Sequence, residues 1–192
     1  MIQMENKGLI EDYLFWMFKV TYEIEMHINA IVALDRVFSK LQRFSQQSAD
    51  MIFYHNQLAL IQSAYLLKSK PKRDEKHSIF TLRGFLYGQG VKINVDPLKK
   101  VMNDIDLFYT KNEIDISKII RKRDGEAHQF KLSHQMKINN ENYVSLNRNV
   151  ELIYIAREIL TDIHYILFER DFPNELKYDV NIYDKIYKNG LL

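Results

Sequence analysis

The sequence predicts an all-α protein, a bundle of about five helices with long antiparallel members. Three observations carry this. Six glycines and three prolines in 192 residues are too few for the turns that an all-β chain requires. Apolar residues recur at steps of three and four over long stretches. After Gly8, no glycine or proline interrupts the chain as far as residue 46.

Taken in order, residues 9 to about 46 read as one long helix or two joined end to end. Leu14, Phe15, Phe18, Tyr22, Ile28 and Val32 form its stripe, with Glu25 and Asp35 as two acidic interruptions. A second helix is expected from a Ser48 N-cap to about Leu67, carrying Ile52, Leu58, Ile61, Tyr65 and Leu66. The charged segment 68–78, which contains Pro71, reads as a loop. "IFTLRGFLYG" is a short helix that Gly88 and Gly90 close. Asp96 and Pro97 together make a helix start. Beyond them two amphipathic segments, 97–109 and 113–128, are separated by the polar "TKNE". Residues 129–142 are polar and asparagine-rich, hence a loop, and 143–169 form a last strong helix. One domain, 1–171, is therefore expected, followed by a C-terminal arm at 172–192 that lies on the surface or on a partner.

Composition excludes several functions. With no cysteine, neither a disulfide framework nor a thiolate metal site is possible. A formal net charge of +2 is too even to argue for nucleic-acid binding in bulk, so such a claim must rest on local clusters. The aromatic run "YLFWMF" is far shorter than the roughly 20 apolar residues of a membrane span, and the start of the chain lacks the cationic and apolar regions of a signal peptide. A cytoplasmic protein without membrane attachment is expected.

The six histidines include no pair at three- or four-residue spacing, so no helical metal motif is present and no metal or other cofactor is expected. His27 and His164 lie within amphipathic helices, where a satisfied core histidine is the expected role. "GFLYGQG" lacks the lysine and hydroxyl residue of a phosphate loop, and no nucleophile elbow occurs.

One stretch remains, "KIIRKRDGEAHQF" at 118–130. Arg121, Asp124 and His128 fall on one helical face at i, i+3 and i+7, while Arg123 lies off it with a side chain long enough to swing round, and Gly125 could loosen the helix. Histidine can take or return a proton near neutrality, and arginine can hold phosphate oxygens as charge builds on them. Asp124 can orient either group. Basic residues and a histidine near a helix C-terminus also complement the helix dipole, so spacing alone leaves both readings open.

The stretch resembles the HEPN family (higher eukaryote and prokaryote nucleotide-binding domains). Its hallmark is an arginine, then usually Asn, Asp or His, and a histidine after four to six intervening residues. Arg123, Asp124 and His128 fit the four-residue spacing, and Ala127 before the histidine is similar to the abortive-infection branch. Arg121 would give the six-residue spacing, with Lys122 in the polar position. The resemblance implies a HEPN-like bundle that forms a homodimer with one composite site. It implies a metal-independent endoribonuclease acting on RNA, in some members a toxin paired with a nucleotidyltransferase-type antitoxin, or a phage-defence effector. The site residues would be Arg123, Asp124 and His128, with Lys118, Arg121 and Lys122 contacting RNA phosphates. Tyr109, Phe130 and Tyr143 flank the motif as candidate base-stacking residues, and the basic loop from Lys68 to Lys76 could guide the backbone. The alternative is a non-catalytic helical module that binds a nucleotide or a protein.

Overall fold

The computed structural model describes residues 6–41, 46–69, 78–129 and 144–188. Among these the chain is all-helical: five helices of ten residues or more, then a 3-10 turn and a short last helix. They are α1 (Lys7–Leu41), α2 (Gln46–Leu67), α3 (Ile79–Gly88), α4 (Leu98–Gln129), α5 (Leu146–Phe168) and α6 (Ile182–Lys188).

The 35 residues of α1 form one helix. It packs against α2 and α5, and the tail after α5 returns to it. Ile10, Leu14, Met17 and Ile24 on α1 are buried and share one core cluster with the buried side of α5, Leu152, Ile153, Ala156, Leu160 and Ile163. The 143–169 stripe is thus the core stripe. The helix itself opens at Ser145, whose Oγ accepts the Arg148 N–H at 3.1 Å, the usual way to satisfy an orphan first-turn amide.

Two expectations need correcting. The segments 97–109 and 113–128 are one uninterrupted helix that opens at Leu98. "TKNE" does not break it because its polar side chains are satisfied along the helix. Thr110 Oγ1 donates to the Asp106 carbonyl at 2.9 Å, and Asn112 Nδ2 donates to the Phe108 carbonyl at 2.7 Å. Asn112 Oδ1 then accepts from Arg148 Nη2 of α5 at 2.7 Å, so the polar interruption is a helix–helix contact. The second correction concerns α2, which opens at Gln46, so that Ser48 lies within its first turn and does not cap it. Its buried side carries His55, Ala59, Leu60, Ser63, Ala64, Leu66 and Leu67, whereas Ile61 and Tyr65 are exposed and Ile52 and Leu58 half-buried. Apolar residues lie on both sides of this helix, so periodicity alone does not say which of them are buried. Met51, Tyr54, Leu58, Ile61 and Tyr65, at steps of three and four, form an outward apolar row.

Buried polar groups on α1 are paired. Glu25 accepts from Arg157 Nη2 at 2.7 Å and from the Tyr154 hydroxyl at 2.5 Å. The Arg157 guanidinium lies 3.7 Å from the Tyr22 ring centroid and donates through Nε to Thr21 Oγ1 at 2.9 Å. His27 and His55 face each other across α1 and α2 with their Nδ1 atoms 2.9 Å apart. His164 shares its Nδ1 proton with the Arg170 carbonyl at 2.9 Å. As expected, His27 and His164 are core residues with partners, and His55 is a third.

After α5 the chain packs on its own α1. Phe172 stacks on Phe18 with centroids 3.9 Å apart and on His164 at 4.0 Å. Further on, Asn29 Nδ2 donates to the Val180 carbonyl at 3.0 Å and the Tyr178 hydroxyl donates to Glu23 at 3.1 Å. No helix among the described residues is long and apolar enough to cross a membrane.

Candidate functional site

Lys118, Arg121, Lys122, Arg123, Asp124 and His128 all lie in the last third of α4. The helix continues through Gly125 to Gln129, so the 118–128 stretch is helical throughout. The 129–142 loop falls, apart from Gln129 itself, outside the described residues, as do the side chain of His128 and all of Phe130 and Tyr143.

Arg123 is held on two sides. Its Nε and Nη2 both donate to Asp124 Oδ1, at 2.8 and 2.5 Å, and its guanidinium lies 5.4 Å from the ring centroid of Tyr65 on α2. The Arg123 side chain is only 13% exposed, against 53% for Asp124. A planar guanidinium fixed by a carboxylate and an aromatic ring loses less freedom on gripping an anion than one that waves in solvent. Asp124 is thus paired with the Arg123 guanidinium.

The basic residues around this pair point to different uses. Arg121 is exposed and Lys118 half-buried. Lys122 lines a cavity of about 20 Å³ with Asn56, Leu60, Ile119, Leu146 and Asn149, which is room for a single water. Lys122 therefore stands on the core side of α4 and Arg121 on its solvent side. In that cavity wall Asn149 Nδ2 donates to Ser63 Oγ at 3.1 Å, while Asn149 Oδ1 is buried and has no hydrogen-bond partner among the described residues.

Helix continuity fixes the register of the motif. A step of seven, from Arg121 to His128, returns to within about 20° of the same direction, whereas the step of five from Arg123 is about 140° around the axis. Arg121 and His128 thus share a face of α4, and Arg123 occupies the face towards α2.

Tyr109, a candidate base-stacking residue, is a core residue instead. It is 8% exposed, its hydroxyl accepts the Phe80 N–H at 3.1 Å, and burial raises its pKa above the ordinary tyrosine value. Lys68 ends half-buried beyond α2, and the rest of the basic loop, 70–76, lies outside the described residues. The aromatic residue that does stand beside the motif is Tyr65, 44% exposed. Sequence reasoning placed it on the second helix without a role; the second apolar row on α2 is the signal that could have singled it out. Larger grooves lie elsewhere, one of about 650 Å³ lined by Phe80, Gly84, Phe85, Gly88, Ile105 and the Arg83–Asp106 ion pair. Among the described residues no three histidine or carboxylate side chains gather as a metal-binding group.

Compared with protein-family models, curated proteins and solved structures, the chain matches none significantly.

Proposed function

We propose that the chain is a metal-independent endoribonuclease of HEPN type, in which Arg123 holds the scissile phosphate and His128 moves protons. The observation that carries this reading is the fixation of Arg123 between Asp124 and the Tyr65 ring. In-line attack by a ribose 2′-hydroxyl builds negative charge on the phosphate, and a preorganised guanidinium stabilises it without reorganising. Histidine supplies the base and acid near neutral pH. The separation of about 140° between the register positions of Arg123 and His128 leaves one chain with a divided motif. A two-fold homodimer resolves this by setting one copy's arginine against the other's histidine. The outward row Met51, Tyr54, Leu58 and Ile61, which leads to Tyr65 beside Arg123, is the surface this reading gives to the second copy.

The test is cleavage of total RNA in excess chelator by wild type, His128→Ala, Arg123→Ala and Arg121→Ala, with oligomeric state followed by sedimentation. Wild type is expected to cleave as a dimer. His128→Ala loses about 100-fold or more and Arg123→Ala a comparable factor, with helicity unchanged. Arg121→Ala loses less, its role being contact with RNA alongside Lys118 and Lys122. Equal cleavage by all four proteins rejects the assignment.

One observation favours a second reading, a non-catalytic module that binds RNA, a nucleotide or a protein. Beside the motif the structure has a cavity of only about 20 Å³, too small to enclose a reacting nucleotide within one chain. RNA binding by wild type that Arg123→Ala weakens, with no product at any protein concentration, would establish that reading instead.

A further inference from the structure

We infer that Tyr65 is the base platform of this site, stacking a nucleobase of single-stranded RNA next to the phosphate held by Arg123. The inference rests on the RNA-directed reading of the motif. It starts from three facts about one ring. Tyr65 lies on α2, a helix distant in sequence from the motif, yet its ring is 5.4 Å from the Arg123 guanidinium. It is 44% exposed although its neighbours Ala64 and Leu66 are fully buried. The Arg123 side chain against it is only 13% exposed as a whole, so the arginine and the ring brace each other while the ring keeps open surface.

A base stacked on an aromatic ring stands a few ångströms from its own phosphate, so a ring in contact with a phosphate-binding arginine can hold both parts of one nucleotide. Stacking tolerates every base because each has a π-face, and the arginine adds attraction for the ring's electrons. Single strands are the substrate class this suits, since a paired base offers no free face. The platform would also account for an exposed tyrosine at the very end of the outward row of α2. There the surface assigned to the second copy gives way to the basic end of α4.

The probe is a short oligouridylate, 2′-O-methylated so that it is not cleaved, together with the same oligomer carrying abasic sugars. Binding of wild type, Tyr65→Ala, Tyr65→Trp and Arg123→Ala is measured by fluorescence anisotropy, with sedimentation to show that oligomeric state is unchanged. Tyr65→Ala is expected to weaken binding of the base-bearing oligomer roughly 10-fold and that of the abasic oligomer hardly at all, with Tyr65→Trp close to wild type. Equal weakening on both oligomers would mean that Tyr65 only supports the fold or the dimer, and would overturn the inference. So would unchanged binding in Tyr65→Ala while Arg123→Ala binds poorly; that outcome leaves the RNA-directed reading standing. If wild type binds neither oligomer, the reading of the motif fails and the inference falls with it.

Discussion

His27 and His55 share one hydrogen bond between two Nδ1 atoms 2.9 Å apart, so one must donate and the other accept. The accepting ring must be neutral, so at most one of the two can carry a charge. Burial, and then the charge of the neighbouring imidazole, push the His27 pKa down to about 4. Burial lowers His55 as well, and it lowers His164 against the opposing pull of the Arg170 carbonyl and Glu11. For a base depressed in the folded state, the unfolded chain takes up protons that the folded one refuses. The stability these rings contribute is thus complete above the ordinary histidine value of about 6.5 and is lost as pH falls towards 4. Urea midpoints are expected to drop between pH 7 and pH 5, before most carboxylates titrate. A variant with His27→Phe and His55→Leu should show a shallower slope over that interval, the remainder coming from His164. A slope as steep as wild type would mean that the pair is not held neutral.

At the scale of elements, α1 and α5 are joined by more than apolar contact. Glu25 and Arg157 form a pair whose side chains are 8% and 15% exposed, completed by Tyr154 and Thr21. Arg157→Ala leaves a buried carboxylate without its counter-charge and is expected to cost about 3 kcal/mol or more. Glu25→Gln in the same background should recover part of this, measured by chemical denaturation at neutral pH. Equal stability of Arg157→Ala and wild type would show that Glu25 is solvated. Helix-period apolar spacing made α1 and α5 legible as helices. It could not reveal Glu25 as a core residue, since its partner lies 132 positions away. Nor could it show that "TKNE" stays helical, since Asn112 is satisfied partly by Arg148 of another helix. On α2 the rule that apolar means buried gave no choice between two apolar sides. The same limit applies at the candidate site. The residues of the motif are visible in sequence, but Tyr65, which fixes the arginine, is 58 positions before it, and only folding brings the two together.

For the molecule as a whole, the tail after α5 belongs to the core. Phe172 is 4% exposed and fills the space between Phe18 and His164. Phe172→Ala is expected to cost about 3 kcal/mol and to lower the melting temperature accordingly. A shift within a few tenths of a kcal/mol would mean that the segment packs only loosely. The expected division at residue 171 thus falls next to a core side chain. No local signal told this phenylalanine from the other aromatics of the tail, because what buries it is α1, more than 150 positions earlier.

This arrangement has a consequence for synthesis. α1 is made long before α5 and the tail, yet its buried side is covered by α2, α5 and the segment beyond Phe172. A helix of 35 residues thus waits on the ribosome with much of its apolar side open until the last part of the chain has emerged. Elongation at about 5–20 residues per second makes the interval from Leu41 to Phe172 roughly 7–26 seconds, during which a chaperone that grips apolar helices has its best opportunity to bind.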